Sequence, residues 1–366
     1  TVLTTQTRSA SPGFSALQVF TTSVTLFLQQ TGNNAAGSTY QVQVTSNDYS
    51  SGIDFSSAGV SSTNGVAPTL TLSNLAPNTS YQVRMNVIGF NNLASSNTTV
   101  TASTYTLPMA PGAFSVLTSS DINISSITVQ WGPNGNPLTP PTSYQIQVST
   151  DIGFGVFSTS DTFLTNLAST TLSGNTSYYF RVRSYGVGGT NSAFNTVLTT
   201  QTKAASPGFE GFGIFNTSAT VYLRANGNPA GTTFYVQVSS NDFSSGVDFS
   251  SGGISGSNGA APSLTVSNLV AATSYQIRVN VLGIGNLSST NTAVVGSTVT
   301  RAFAPSLTSL AVYTTSITIT LASNGNAVGT PLMVSTGTDG RFDIASSSIG
   351  VVTGANTSLS LVGLST

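Results

Sequence analysis

Residues 1–7 read TVLTTQT and so do residues 196–202. Ser11-Pro12-Gly13-Phe14 returns at the same offset of 195 as Ser206-Pro207-Gly208-Phe209, and SNDYSSG at 46–52 returns as SNDFSSG at 240–246, after one residue is dropped near Gly227. Inside this long repeat lies a shorter one. Joints of the form Thr-x-x-x-x-Pro at 7–12, 106–111, 202–207 and 300–305 set their prolines 111 − 12 = 99, 207 − 111 = 96 and 305 − 207 = 98 residues apart. A chain copied on such a period buries its apolar residues copy by copy, and about 100 residues is the size of one small domain.

Each copy alternates apolar and polar residues with period 2, as half-buried strands require. In the first copy the inward set is Val24, Leu26 and Leu28, then Tyr40, Val42 and Val44, then Leu70, Leu72 and Leu75, then Tyr81, Val83, Met85 and Val87. The third repeats it with Val221 and Leu223; Phe234, Val236 and Val238; Leu264, Val266 and Leu269; and Tyr275, Ile277, Val279 and Val281. In the second copy Ile127 and Val129 lead to Trp131, a place held elsewhere by Leu28, Leu223 and Leu321. The runs after it, Gly132-Pro133-Asn134-Gly135-Asn136, Ala225-Asn226-Gly227-Asn228 and Ser323-Asn324-Gly325-Asn326, hold residues that tolerate positive φ in tight turns. No helical period outlasts a single turn. The fold class is therefore all-β.

The stretch Leu75-Ala76-Pro77-Asn78-Thr79-Ser80-Tyr81 recurs at 172–178 and 269–275, with Gly174 and Ala271 in place of the proline. It resembles the corner of fibronectin type III domains, where a tyrosine entering the sixth strand bonds to upstream backbone; Trp131 is similar to the second-strand tryptophan of that family. The resemblance covers nearly the whole chain. It implies tandem fibronectin type III-like sandwiches forming an extended rod, with residues 1–8 as the last strand of a preceding module and modules at 9–106, 107–203 and 204–302. Residues 303–366 form an incomplete fourth module: Ile317, Ile319, Leu321, Leu332, Val334, Leu359, Leu361 and Leu364 are present, but the corner and the two strands after it are not. Two explanations stand at this point. These residues are a portion of a longer array, or a strand from a neighbouring copy completes the module. Residues 1–7 are the candidate donor, although TVLTTQT lacks the Tyr-x-Val-x-Val pattern that the empty place wants.

Composition narrows the function classes. Charged residues are 5% of the chain and the net charge is −1, so nine scattered Lys and Arg form no basic stripe for nucleic acid. Hydroxyl and amide groups replace charge, leaving little repulsion to keep copies apart. There is no cysteine and no histidine, Glu210 is the only glutamate and Lys203 the only lysine. The usual nucleophile–base pairs cannot be built from that set, which argues against an enzyme. It also excludes one Lys-Asn cross-link per module. No apolar run reaches the 18 residues of a spanning helix, and no cofactor is expected.

Four groups of residues remain as candidates. Asp48 with Asp54, Asp242 with Asp248, and Asp339 with Asp343 lie in Ser/Asn/Gly-rich loops, where aspartate caps turns or, as the alternative, offers oxygen ligands to calcium. Asn-x-Ser/Thr sequons occur at Asn78, Asn97, Asn123, Asn175, Asn216, Asn286 and Asn356. Arg84, Arg181, Arg183 and Arg278 point outward by the alternation, either as solubilising residues or as partners for carboxylates. Tyr81, Tyr178 and Tyr275 are the corner residues that the resemblance implies. It further implies an extracellular or cell-surface protein, more similar to secreted bacterial repeat proteins than to animal matrix proteins. The leading expectation is a structural rod that assembles with itself into a filament, sheath or surface layer. The alternatives are an adhesin for glycan or a host protein, and a spacer in a larger secreted protein.

Overall fold

The computed structural model describes the chain except residues 1, 2, 4, 33, 64, 96–101, 257–259, 287, 288, 290–293, 338–345, 365 and 366, and the side chains of residues 90, 286 and 346. In the first module β1 (Pro12–Val19), β2 (Ser23–Gln30) and β5 (Thr69–Ser73) form one antiparallel sheet in the order β1-β2-β5. The opposing sheet runs β4-β3-β6-β7, from β3 (Thr39–Thr45), β4 (Phe55–Val60), β6 (Ser80–Ile88) and β7 (Ala102–Tyr105).

The second module repeats the plan with β8 (Phe114–Val116), β9 (Ile127–Trp131) and β12 (Asn166–Ser169) against β10 (Tyr144–Ser149), β11 (Ser158–Thr162), β13 (Ser177–Ser184) and β14 (Leu198–Gln201). In the third, β15 (Gly208–Ile214), β16 (Ser218–Arg224) and β19 (Ser263–Ser267) face β17 (Thr233–Ser239), β18 (Phe249–Ile254), β20 (Ser274–Leu282) and β21 (Gly296–Val299). These are two-layer sandwiches of three and four strands.

Packing follows the sequence alternation. Tyr40, Val42, Val44, Val83 and Val87 have no exposed surface, nor do Phe234, Val236, Val238, Ile277 and Val281 at the matching places. Each such side chain contributes roughly 1.5–3 kcal/mol on burial. The fourth strand closes the edge by glycine: a Cβ on Gly59 would lie 2.7 Å from Leu70 Cδ2, and one on Gly253 2.6 Å from Leu264 Cδ2. A bulge recurs in the first strand, between Phe14 and Ala16, Phe209 and Gly211, and Leu307 and Ser309.

Among the described residues the fourth module has β22 (Ser306–Val312), β23 (Ser316–Ala322) and β26 (Asn356–Val362) in one sheet, and only β24 (Pro331–Thr336) and β25 (Ser346–Val351) in the other. Its core is correspondingly thin. Leu321, Leu332, Val352 and Leu359 form the buried cluster, with Ile319 and Val334 against it, while every residue of β22 is exposed. Residues 3 and 5–7 take no strand structure, although residues 196–202, the same heptapeptide, supply β14 where β13 lies beside it. Thr1, Val2 and Thr4 lie outside the described residues.

The chain divides into two compact units. One comprises Thr1–Ile122, Ser126–Thr170 and Ser177–Thr200; the other comprises Asn123–Ser125, Thr171–Thr176 and Gln201–Thr366. Among the described residues no helix is long and apolar enough to cross a membrane.

Candidate functional site

The corner is built from three side chains. Tyr81 is 3% exposed and its hydroxyl accepts the Ala76 N–H at 2.9 Å; the Tyr275 hydroxyl accepts the Val270 N–H at 3.0 Å. Burial pushes the Tyr81 pKa up, so the hydroxyl stays neutral. Tyr178 is likewise buried. A joint threonine pins the turn from the other side. Thr106 Oγ1 accepts the Thr79 N–H at 3.0 Å and donates to Ala76 O at 2.7 Å, and Thr300 does the same with Thr273 N–H and Val270 O at 3.0 and 2.6 Å. Thr202 repeats it with Thr176 N–H and Ser173 O at 3.1 and 2.6 Å.

The third side chain is the corner asparagine. Asn78 and Asn175 stand 175 − 78 = 97 residues apart in the left-handed region, at φ 51° and 49°, and are 4% and 2% exposed. Asparagine tolerates that backbone better than other side-chain-bearing residues. Within the first unit, Asn78 Nδ2 donates to Thr142 Oγ1 at 3.2 Å and to Tyr185 O at 3.1 Å, while Oδ1 accepts the Val187 N–H at 2.9 Å. Within the second unit, Asn175 Nδ2 donates to Thr232 Oγ1 at 3.0 Å and Oδ1 accepts the Ile284 N–H at 2.7 Å. Each amide thus ties a corner to the residues just before the next sandwich's third strand and to the loop after that sandwich's sixth strand.

A second asparagine fastens each linker. Asn34, Asn136, Asn228 and Asn326 are buried, and each Oδ1 accepts the N–H of one linker residue: Ala10, Met109, Ala205 or Phe303. Each Nδ2 donates back to the same residue's carbonyl at 2.8–3.1 Å. The side-chain amide stands in for a paired strand residue. The turns before them carry the expected positive φ at Asn134, Gly135, Asn226, Gly227, Asn324 and Gly325.

The sequons are distributed by this geometry. The amide nitrogens of Asn78, Asn175 and Asn216 are all donating, the last to Arg301 O and Ala302 O. Asn123 and Asn356 are exposed, and Asn97 and the Asn286 side chain lie outside the described residues. The aspartates serve as turn ligands. Asp54 Oδ2 accepts the Ser46 N–H and hydroxyl at 2.6 and 2.7 Å, and Asp248 Oδ2 accepts those of Ser240 at 2.6 Å each, which holds the Asp248 carboxyl below its ordinary value. Asp48 and Asp242 occupy the left-handed region in the same loops, at φ 58° and 59°. Asp339 and Asp343 lie outside the described residues. Among the described residues no three Asp or Glu side chains converge on one point.

The outward arginines are engaged rather than free. Arg84 lies 4.1 Å over the Tyr49 ring with Nε on Gln43 Oε1 at 2.7 Å; Arg278 repeats this over Phe243 at 4.2 Å with Gln237 at 2.7 Å. Tyr49 and Phe243 reach their places through positive φ of 57° and 58°, rare for aromatic residues, in the repeated SND-Tyr/Phe-SSG loops. Sequence reading missed both the clamp and this stacking. Their signals were present, in an asparagine at two corners and an aromatic residue following each SND.

Comparison with protein-family models matches residues 110–201 to the fibronectin type III domain. Comparison with curated protein sequences finds no match. Among solved structures, the chain is similar to the FN1–FN3 domains of chicken CNTN1, at 13% identity over 79% of this chain and 97% of that one, TM-score 0.26. It is also similar to a two-domain fibronectin type III segment of chicken tenascin, at 19% identity over 52% of this chain and 100% of that one, TM-score 0.36. The corner, the strand order and the family match agree: residues 110–201 match the fibronectin type III domain, and they stand in a tandem of sandwiches with the same strand order.

Proposed function

We propose that this is a non-catalytic structural protein of the extracellular or cell-surface kind, a stiff succession of sandwiches that serves in a filament, sheath or surface layer. Tandem domains of this family are typical of extracellular and cell-surface structural or adhesion proteins. The observation that carries the reading is the buried amide clamp. It recurs at Asn78 and Asn175 with the same two kinds of partner and converts a flexible joint into a hydrogen-bonded one. Absence of histidine and cysteine removes the usual catalytic pairs.

Self-association in this reading runs edge to edge. β6, β13 and β20, the strands with the pattern to lie beside β24, each sit inside their own sheets. Among the described residues β24 and β25 form a pair with no further strand on either side, and Met333 and Ile349 within them and Val312 and Val362 on the facing sheet are more than 60% exposed. Such edges and apolar side chains favour association.

Small-angle scattering of the whole chain tests the reading. With strands at about 3.3 Å per residue, four sandwiches in line span about 120 Å; a compact particle of this length has a radius of gyration of about 21 Å. The compact value refutes the stiff succession. A concentration series in light scattering tests the assembly, which is refuted by a monodisperse monomer without fibres at high concentration.

A further inference from the structure

The second sandwich departs from its neighbours on the outer face of its four-stranded sheet, where two arginines replace one. Arg181 lies 4.0 Å over the Phe154 ring and 4.2 Å over Phe194, and Phe194 is shared with Arg183 at 4.8 Å. Their Nε atoms donate to Gln147 Oε1 and Gln145 Oε1 at 2.8 and 2.9 Å. Rings cover the guanidinium faces and glutamine takes the inner donor, which leaves the Nη edges of both groups as oriented forks for an oxygen ligand.

Neither arginine forms an ion pair among the described residues. Among the described residues the one ion pair is Arg224 with Glu210, and Asp161 Oδ1 accepts from the Tyr185 hydroxyl at 3.2 Å. Burial, then the Arg183 charge, draws the Arg181 pKa down, while Asp161, two strands from Arg183 on this face, is joined to it through the Tyr185 hydroxyl and Gln145 and not by an ion pair. Phe194 also lines a groove of ≈410 Å3 with Pro111, Phe114, Asn195 and Leu198. Asn195 Oδ1 accepts the Val182 N–H at 2.9 Å, but its buried Nδ2 has no acceptor.

We propose that this face binds the carboxylate or sulfate of an acidic saccharide. The wall offers donors and aromatic surface; a sugar acid brings negative oxygens, further ring and hydroxyl acceptors, and an apolar C–H face. A peptide carboxylate could meet the arginines, but its backbone adds N–H donors that this wall does not need.

The test is titration calorimetry of the whole chain with a hexuronate oligosaccharide, a sulfated one, a neutral one of equal length and an Asp/Glu hexapeptide. The expected result is binding of the acidic saccharides only, weakening as salt rises past about 0.1 M. Arg183→Gln lowers affinity about tenfold, Arg183→Lys retains part of it, and Arg84→Gln in the first sandwich leaves it unchanged. Melting curves of each variant separate lost binding from lost folding, and Arg183→Lys carries the test if Arg183→Gln melts early. No binding of either acidic saccharide at millimolar concentration overturns the proposal. Equal loss in Arg84→Gln overturns it in favour of diffuse charge, and tighter binding of the peptide overturns the saccharide assignment.

Discussion

Asn78 and Ala272 hold the same corner of the first and third sandwiches, 272 − 78 = 194 residues apart, and both lie at positive φ, 51° and 56°. Beyond the first corner, the amide makes three bonds to the next sandwich. Beyond the third, Ala272 lines an open groove of ≈540 Å3 with Val299, Val328, Gly329 and Pro331, and among the described residues a single backbone bond, Ala327 N–H to Ala271 O at 3.1 Å, runs from the fourth module to the corner. That bond exists because alanine occupies the place after the latch asparagine where the second and third modules have Pro137 and Pro229, which have no N–H. The turn survives without the asparagine. What disappears is the side-chain tie to the next sandwich, while the backbone bond from Ala327 remains, so the clamp's own bonds live in the side-chain amide and not in the corner's backbone path.

The largest effect expected from breaking that comparison belongs to Asn78→Ala. It strands the Val187 N–H and the Tyr185 carbonyl and puts alanine at φ 51°, for a local loss of about 2–4 kcal/mol. Hydrogen exchange at Val187 reads it as faster exchange confined to the junction. The converse, Ala272→Asn, should change stability by no more than about 1 kcal/mol, through backbone preference alone. A gain from Ala272→Asn as large as the loss from Asn78→Ala would show that the amide acts within its own corner.

Tyr81→Phe and Tyr275→Phe come next, at about 1 kcal/mol each, since both remove one hydrogen bond and keep the ring. Equal values sharpen the comparison, because they show that the two corners are alike inside their sandwiches and differ only in what lies beyond. A much larger value for Tyr81 in thermal unfolding would mean that corner and clamp unfold together.

The smallest effect concerns the third sandwich alone. Hydrogen bonds from Ser240 lower the Asp248 pKa from 3.8 on folding, so the stabilisation they bring is present above about pH 4 and is lost as pH falls through the lowered folded value. Asp248→Asn should flatten that acid limb in a pH series of melting temperatures, with or without Ala272→Asn.

Much of the fold was legible because strand alternation and the repeat speak about the same residues. Tyr40, Val42 and Val44 fall on one face by counting, and they are the ones with no exposed surface. The site was less legible because its residues carry ambiguous types. Asn78 and Asn175 read equally as sequons and as turn formers, and only the position of Tyr185, Val187 and Ile284 in space shows where their amides point. Arg84 reads as a surface charge until the left-handed backbone at Tyr49 brings a ring beneath it. Such contacts join residues more than 30 positions apart through loops whose paths no periodicity describes.

The linker latch has a consequence for how such a chain changes over generations. Asn34, Asn136, Asn228 and Asn326 grip only the backbone of Ala10, Met109, Ala205 and Phe303, so the linker side chain is free to drift among alanine, methionine and phenylalanine. At the linker, a module carries its own fastening for the chain that enters it. Duplication of a module pair therefore requires no matching substitution at the linker residue itself, and the copies at offsets of 195 and 194 are what such duplication leaves behind.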